Sequence, residues 1–320
     1  MNKDIINIAL KEEENDLKVS HDYYSLIDNF IRAQDVKETS KETYKRTLKQ
    51  FFLWISQAEP ANPNRETILR YKDHLLKRDL SSLSLSNYMV VVRKFFDWAE
   101  SMKYYPNIAK GVKGGKRVKG FRKDPLTIEQ VKDFLEIDTS TIEGKRDFAL
   151  LNLMIRTGLR TIEIIRADVG DIRQESGEAL LYIQGKGRDC KDEFVVLTTG
   201  TLNPIMDYLH ARGNITDNDP IFVSLSDRNK GKRLTSRSIS FIAKKHLRRI
   251  GLDTHRLTAH SLRHTAITLA LQAGATLQEA QALGRHANIN TTLIYAHNIQ
   301  RMLNAPERKI DALLEHYERS

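Results

Sequence analysis

Cysteine is almost absent from this chain, because Cys190 is the only one among its 320 residues. A single cysteine excludes an internal disulfide framework and is typical of a protein from a reducing compartment. It lies in a charged turn, GKGRDCKDE. We therefore interpret Cys190 as an incidental thiol and not as a nucleophile.

Long hydrophobic runs are also missing. No stretch of about 18 apolar residues is present, so the sequence predicts no membrane-spanning helix. The N-terminal segment MNKDIINIALKEEENDLKVS lacks the basic start, apolar core and small-residue cleavage site of a secretory signal. These absences predict a cytoplasmic protein without a membrane partner.

Acidic residues are too few to balance the basic ones. The chain has 51 lysines and arginines against 41 aspartates and glutamates, for a net charge of +10 and a pI near 9.5. Such an excess indicates a polyanionic partner, most often nucleic acid or an anionic membrane surface. With 40% hydrophobic residues the chain is globular, and its length predicts two domains.

The first 108 residues are predicted to hold a short N-terminal extension, residues 1–20, and a helical domain, residues 21–108. Apolar residues recur at helical spacing in TSKETYKRTLKQFFLWISQ, NRETILRYKDHLLKR and SLSNYMVVVRKFFDWAE. Ser40 is the predicted N-cap of the first of these helices. Ile68, Leu69, Leu75 and Leu76 form the apolar positions of the second.

Basic side chains on these helices, and in the segment that follows, are candidates for contact with a nucleic-acid backbone. Residues 109–124 contain KGVKGGKRVKGFRK, with seven basic residues, four glycines and no acid. This composition predicts a flexible linker that can follow a phosphate backbone. An ordinary solvated surface remains the alternative for any one lysine. The residues predicted to contact DNA are Lys41, Lys45, Lys49, Arg93, Lys94, Lys113, Lys116, Arg117, Lys119 and Arg122.

A second domain is predicted over residues 125–304, mainly α-helical with a small β-sheet. Thr127 with Gln130, and Thr276 with Glu279, form capping boxes at helix starts. Gly158 is predicted to end one helix, and the next begins near Thr161. The strand signals are around 180–184 and 194–197, and helices are predicted from about residue 234 to the end.

Polar residues that could carry chemistry cluster in this second domain. Arg160 follows the helix end at Gly158, where a side chain can project into a cleft. In HSLRH, His260 and Arg263 share a helix face at i and i+3. His264 follows, and the pair of histidines also has the spacing of metal ligands. No glutamate lies between them and no cysteine is near, which disfavours zinc.

These residue types make chemical sense as one set that breaks a DNA strand without metal. A tyrosine phenol such as that of Tyr295 can attack phosphorus and keep the bond energy in a phosphodiester. Arginines can grip the non-bridging oxygens, and histidines such as His286 can move protons. Lys186, between glycines at the tip of the predicted hairpin, can protonate the leaving 5′-oxygen. Asn290, Thr291 and Thr292 are the predicted caps of the helix that displays the tyrosine.

The ordered motifs TGLRTIE, GKG, HSLRH and LGRHANINTTLIYAH resemble the tyrosine recombinase (integrase) family, and its compact Xer-type bacterial members in particular. The resemblance implies an active site in which Tyr295 is the nucleophile and Glu163 orients its neighbours, while His264 is a supporting residue. The other implied catalytic residues are Arg160, Lys186, His260, Arg263 and His286.

The resemblance also implies a fold and an assembly. A helical core-binding domain and a mainly α catalytic domain would form a two-domain C-shaped DNA clamp. The chain would cut and rejoin double-stranded DNA with an inverted-repeat core site, through a covalent 3′-phosphotyrosine and a Holliday junction, without cofactors. An amphipathic helix over residues 305–320, with Ile310, Leu313, Leu314 and Tyr317 on one face, would be exchanged between protomers of a homotetramer. Packing of that helix on its own domain is the alternative.

The sequence departs from the family pattern at Arg285, where many relatives read leucine-glycine-histidine without a break. This arginine is expected either to add a phosphate contact or to be exposed. Tyr317 is a competing nucleophile, but it lacks the motif context of Tyr295.

Two other functions stay open as alternatives. A non-enzymatic DNA-binding regulator would use the same basic surface without the catalytic set. A type IB topoisomerase would use much the same chemistry but would relax supercoils as a monomer without paired target sites. A metal-dependent nuclease is disfavoured because clustered carboxylates are lacking. The sequence does not fix the target site or the need for accessory or directionality proteins. It also does not distinguish between chromosome-dimer resolution, mobile-element integration and plasmid resolution. Association with the nucleoid is predicted.

Overall fold

The structure is a computed structural model that describes residues 21–58, 63–78, 80–115, 124–185, 188–303 and 305–318. The chain divides into two compact units between Lys119 and Gly120, inside the segment predicted to be a linker. The N-terminal extension, residues 1–20, lies outside the described residues. Within the described part, no helix is long and apolar enough to cross a membrane.

The N-terminal unit is helical. Its helices are α1 (His21–Arg32), α2 (Glu38–Ala58), α3 (Arg65–Lys77) and α4 (Ser82–Ser101). Aromatic rings from all four helices meet in its core, with Phe51 and Tyr71 at 4.8 Å and Phe30 and Phe95 at 5.6 Å between ring centroids. Burial of rings this large is the main source of stability for a helical unit of this size.

Two details of these helices differ from the sequence prediction. Ser40 is not an N-cap, because its N–H already donates to the carbonyl of Lys37 and α2 begins at Glu38. In α3, Ile68 and Leu75 are buried, whereas Leu69 and Leu76 are 42% and 52% exposed. Neighbouring apolar residues at i and i+1 point about 100° apart on a helix, so only one of each pair faces the core.

The C-terminal unit is mainly α-helical with one small sheet, as predicted. Its helices are α5 (Ile128–Leu135), α6 (Ile142–Thr157), α7 (Thr161–Arg166), α8 (Thr199–Arg212), α9 (Ser236–Arg249), α10 (Ala259–Gln272), α11 (Leu277–Gly284), α12 (Asn290–Leu303) and α13 (Pro306–Glu318). The capping boxes at Thr127 and Thr276 are confirmed. Helix α6 lies at the centre, packed against α8 and α10.

The sheet has three antiparallel strands where the sequence predicted two. They are β1 (Ile172–Glu175), β2 (Glu178–Ile183) and β3 (Glu193–Val196), in the order β1-β2-β3. The prediction missed β1 because this edge strand, IRQE, buries little and shows no apolar alternation. Its pairing with β2 is fixed by a tight turn at Ser176 and Gly177, both with positive φ.

Candidate active site

Arg160 is held by the helix that starts beside it. Helix α6 ends at Gly158, whose φ of +61° reverses the chain, and Arg160 is the N-cap of α7. The fully buried Glu163 accepts the Arg160 backbone N–H at 2.7 Å with one oxygen and Arg160 Nη1 at 2.7 Å with the other. The short local loop therefore fixes this guanidinium.

Arg263, on α10, contacts the same loop after α6 that carries Arg160. Its side chain is 3% exposed, and its Nη1 donates to the carbonyl of Gly158 at 2.6 Å. Its Nη2 is buried without a hydrogen-bond partner among the described residues. Burial, and then the charges of Arg160 and Arg285, lower the pKa of Arg263 to about 10. The group stays charged at neutral pH and has a donor to spare for an anion.

Two histidines of the same helix lie beside Arg263. His260 and His264 are in edge-to-face contact, with ring centroids 4.7 Å apart. Burial lowers the pKa of His264 to about 4, and the neighbouring His260 and Arg263 act in the same direction. His264 is therefore neutral at pH 7.

Tyr295 on α12 is brought into contact with this group. The ring is 4% exposed and packs with Ile267 and Ala280. Its hydroxyl forms a hydrogen bond with Nδ1 of His264. Burial raises the pKa of Tyr295 to about 12, and Arg263 opposes that shift. The phenol is thus protonated in the absence of substrate and touches a neutral imidazole.

His286 completes the cluster from the turn between α11 and α12. Its ring stacks 6.2 Å from that of Tyr295 and lies against Gly284, where a Cβ would meet His286 Cε1 at 2.9 Å. Its Nδ1 is 2.9 Å from Oγ1 of Thr292, which leaves Nε2 as the nitrogen available to substrate. Burial, followed by the charge of Arg263, lowers the pKa of His286 to about 4.

Sequence reasoning missed the role of Thr292. The prediction that Asn290 and the two threonines cap α12 is wrong, because all three lie in its first turn. The Asn290 N–H is accepted by the side chain of Asn288 at 2.9 Å, and Thr292 is buried against His286. A buried threonine one helical turn before the tyrosine, on the same face, is the signal that could have indicated this contact.

Arg285 is not exposed, so that alternative from the sequence is wrong. Its side chain is 7% exposed, and Nη2 donates to Glu163 Oε2 at 3.1 Å. Burial lowers its pKa, which the nearby carboxylate of Glu163 partly offsets. The structure therefore adds a third arginine to the corner formed by Arg160 and Arg263.

Lys186 and Gly187 lie outside the described residues, and the description stops at Gly185 and resumes at Arg188. A cleft of about 830 Å³ is lined by Gly185, Arg188, Arg160 and His286, among others. The connection between β2 and β3 is tied to the body of the unit by Lys191, whose Nζ donates to a carboxylate oxygen of Asp168 at 2.7 Å. The assignment of Lys186 to the site stays a prediction.

Metal binding has no support in the described part of the chain. Among those residues, no group of three or more histidines, cysteines, aspartates or glutamates is arranged to hold a metal ion. The pair His260 and His264 is instead part of the contacts around Tyr295.

Six of the ten basic residues predicted to contact DNA are described, and all six are at least partly exposed in the N-terminal unit. Lys45 donates to Asp28 at 2.7 Å, and Lys49 lies 4.9 Å from the centre of the Tyr24 ring. The remaining contacts are Lys41 with Glu38 at 3.6 Å, Lys94 over Tyr44 at 6.0 Å and Arg93 with the Val112 carbonyl at 3.2 Å. Lys113 is exposed, and Lys116, Arg117, Lys119 and Arg122 lie outside the described residues. DNA contact by this set stays a prediction.

Two family models match the chain. The phage integrase family matches residues 125–301, which include every residue of the cluster. The N-terminal SAM-like domain of phage integrases matches residues 27–103. Together the two matched segments cover most of both units.

Relatives and a solved structure agree with these matches. The chain is 34% identical to tyrosine recombinase XerC of Chlamydia caviae, over 83% of this chain and 78% of the relative. It is 30% identical to XerC of Herpetosiphon aurantiacus, over 79% and 83%. The fold is similar to that of the XerH site-specific recombinase bound to palindromic difH substrate, with a TM-score of 0.70, 21% identity and coverage of 95% and 93%.

The chain belongs to the phage integrase family and is an Xer-like tyrosine recombinase. Its activity is site-specific recombination, as expected from the motif order. The comparisons favour neither a non-enzymatic regulator nor a topoisomerase.

Proposed function

We propose that this recombinase cuts one DNA strand with the phenolic oxygen of Tyr295 and rejoins it through a 3′-phosphotyrosyl intermediate. The observation that carries the proposal is the convergence of α10 and of the turn between α11 and α12 on the phenol of Tyr295. The Tyr295 hydroxyl is bonded to His264, its ring stacks on His286, and Arg263 is close enough to lower its pKa.

The cleavage step balances with these groups. The Tyr295 oxygen forms a bond to phosphorus, the bond from phosphorus to the 5′-oxygen breaks, and the phenolic proton passes to an imidazole. His264 is neutral and in contact with that hydroxyl, which makes it the acceptor we assign. Rejoining is the reverse: a 5′-hydroxyl attacks the phosphotyrosine and the phenol regains its proton.

Charge neutralisation falls to the arginines and the remaining histidines. The phosphate gains negative charge at the five-coordinate stage, and preorganised donors stabilise that charge without reorganisation. Arg263 Nη2, which has no hydrogen-bond partner in the described residues, is the donor we assign to one non-bridging oxygen. Arg160 and His286 line the same cleft, and His260 lies beside His264.

The leaving 5′-oxygen needs a proton, and we assign its donor as Lys186. The support is the position of Gly185 and Arg188, the nearest described residues on either side of Lys186, in the lining of the cleft that Arg160 also lines. A lysine has a proton to give at neutral pH and a stem long enough to reach the site from a hairpin turn.

Double-stranded DNA with an inverted-repeat core site is the proposed substrate. The support is the net charge of +10 and the similarity of the fold to a recombinase solved with its palindromic difH substrate. Exchange between two such sites through a Holliday junction follows from strand cleavage and rejoining by paired protomers. We place the protein at the nucleoid, with accessory or directionality proteins as further partners.

A homotetramer formed by exchange of the last helix is the proposed assembly. In α13, Ile310, Leu313 and Leu314 are 56–58% exposed, so this apolar face is not covered by its own unit. Such a face is stabilised by burial in another protomer. The side chain of Tyr317 lies outside the described part.

The nucleophile is tested with a nicked duplex that traps the covalent complex when the short cut end diffuses away. The target half-site is first selected from a library of candidate inverted repeats. We expect wild type and Tyr317→Phe to form the adduct, and Tyr295→Phe to bind the same DNA without forming any. An adduct on Tyr295→Phe, with loss of adduct on Tyr317→Phe, is the result that contradicts the assignment.

The assembly is tested with a chain that ends at residue 304 and with a variant that changes Ile310, Leu313 and Leu314 to serine. Both are expected to form the adduct on a single nicked half-site but to lose complexes that hold two duplexes. Light scattering after gel filtration measures the mass of those complexes. Four-protomer complexes with both altered chains would contradict the exchange.

A further inference from the structure

The backbone at Arg285 has an unusual conformation for an arginine. Helix α11 ends there with φ +45° and ψ +49°, in the left-handed region. The His286 N–H closes back on the Gln281 carbonyl at 3.2 Å, which is a common C-terminal helix ending. Glycine is the usual residue at such a position, and a side chain there costs about 1 kcal/mol.

The side chain of Arg285 adds a second cost. It is 7% exposed, and its Nε is buried without a hydrogen-bond partner in the part of the chain that the structure describes. An unmet donor on a buried charged group costs roughly 1–3 kcal/mol. A residue that opposes folding in two ways is expected to serve the site and not the helix end, since glycine would form the same ending without either cost.

Its contacts join the supports of both candidate phosphate-binding arginines. Nη2 donates to Glu163 Oε2 at 3.1 Å, and Glu163 also holds Arg160. The same Nη2 donates at 3.0 Å to the Gly158 carbonyl, which also accepts Arg263 Nη1 at 2.6 Å. The main-chain carbonyl of Arg285 accepts Arg160 Nη2 at 3.0 Å. Arg285 thus shares the acceptor Glu163 with Arg160 and the acceptor Gly158 with Arg263, and its own carbonyl is a further acceptor for Arg160.

We propose that Arg285 is a positioning residue that fixes the guanidiniums of Arg160 and Arg263 for the scissile phosphate, in a role that many family members fill without an arginine. The proposal rests on the proposed function of that pair. Direct contact with the phosphate is not assigned to Arg285, because its Nη2 is already shared between Glu163 and Gly158.

The charges of the corner give the physical reason. Among the residues that the structure describes, Glu163 is the one carboxylate bonded within the group, against the three guanidiniums of Arg160, Arg263 and Arg285. Three positive charges and one negative charge leave two positive charges, which is the charge that a five-coordinate phosphate dianion requires. Like charges this close repel, so shared acceptors that lock each guanidinium in place keep the pair preorganised.

The test is a glycine substitution that separates backbone from side chain. Arg285→Gly removes the guanidinium and relieves the left-handed strain. We expect the variant to stay folded, because Glu163 keeps both of its bonds to Arg160, and we expect its DNA affinity to stay within about twofold of wild type. The single-turnover rate of adduct formation should fall about 10- to 100-fold, because a small misplacement of catalytic groups costs on that order. Asn214→Gly, at another left-handed residue of the same unit, is the matched control and should cleave normally.

A second substrate distinguishes positioning from a general structural defect. In a methylphosphonate, one non-bridging oxygen at the scissile position is replaced by a neutral methyl group, so less negative charge has to be held. The rate deficit of Arg285→Gly should be smaller on one purified methylphosphonate diastereomer than on the natural phosphate. Arg285→Lys, which keeps the charge without the planar fork, should recover only part of the rate.

Two results overturn the inference: normal cleavage by Arg285→Gly, or an equal deficit on both substrates. Either would leave the proposed function intact as long as Tyr295→Phe forms no adduct. An adduct on Tyr295→Phe would instead remove the proposed function, whatever Arg285→Gly does.

Discussion

Replacing Glu163 with glutamine tests how strongly the buried carboxylate organises the site. The side chain is fully buried, with one oxygen bonded to Arg160 Nη1 and the other to the Arg160 N–H and to Arg285 Nη2. Glutamine has nearly the same shape, but its amide offers one acceptor where the carboxylate offers two. In either orientation an N–H group of the amide faces an N–H donor of arginine.

The magnitude follows from the burial of the group. Breaking a buried ion pair by removing one partner costs about 3–5 kcal/mol. Glutamine keeps one set of bonds, so about 3 kcal/mol is expected for Glu163→Gln. In a unit of this size 1 kcal/mol shifts Tm by about 2–4 °C, so the melting temperature should fall by roughly 6–12 °C. Cleavage should also slow, since the Arg160 guanidinium loses its carboxylate.

Thermal unfolding and single-turnover adduct formation on the nicked half-site measure the two effects. Glu136→Gln is the matched control, because that side chain is exposed at the end of α5, and both quantities should stay at wild-type values. A Tm for Glu163→Gln within about 2 °C of wild type would refute the reasoning that this carboxylate holds the arginine corner together.

Two further predictions concern the histidines of the site. Thr292→Val keeps the shape of the side chain but removes the partner of His286 Nδ1, so adduct formation should slow about tenfold. Thr291→Val, at the exposed neighbour, is the control and should not change that rate. Equal rates for the two variants would contradict the contact. The pKa values of His264 and His286 are lowered to about 4 in the folded chain. Between about pH 6.5 and pH 4 the unfolded chain therefore binds protons that the folded chain does not. The free energy of unfolding should be highest above about pH 6.5 and should fall as the pH is lowered towards 4. Chemical denaturation at pH 7 and pH 5 should show a smaller loss for His264→Asn than for wild type, and an equal loss would contradict the burial of the neutral ring.

Most of the fold could be predicted because its signals are local. Capping boxes at Thr127 and Thr276, and the left-handed glycine at Gly158, mark helix ends with the chemistry of one turn. The edge strand β1 could not be found, since its pairing partner and not its own pattern makes it a strand. The exposure of Leu69 and Leu76 follows from which face of α3 meets the core, and that depends on the other helices.

The candidate site shows the same division between local and distant causes. Arg160 and Glu163 lie three residues apart on one helix start, so their pairing follows from local geometry. Contacts of Tyr295 with His264, and of Arg285 with Glu163, join segments 31 and 122 residues apart. The order of the motifs indicated that Tyr295 and His264 belong to one site, but no sequence pattern indicated that the side chain of Arg285 is buried. Its side chain is buried through contacts with Gly158 and Glu163, which lie more than 120 residues away in the chain.

The central claim is that the phenolic oxygen of Tyr295 forms the covalent bond to the 3′-phosphate of the cut strand. Mapping of the trapped adduct tests this claim most directly. After trapping, nuclease and trypsin digestion should leave the nucleotide on the peptide 286–301, in which Tyr295 is the only tyrosine. A nucleotide on peptide 310–319, which carries Tyr317, or on any other segment would contradict the account.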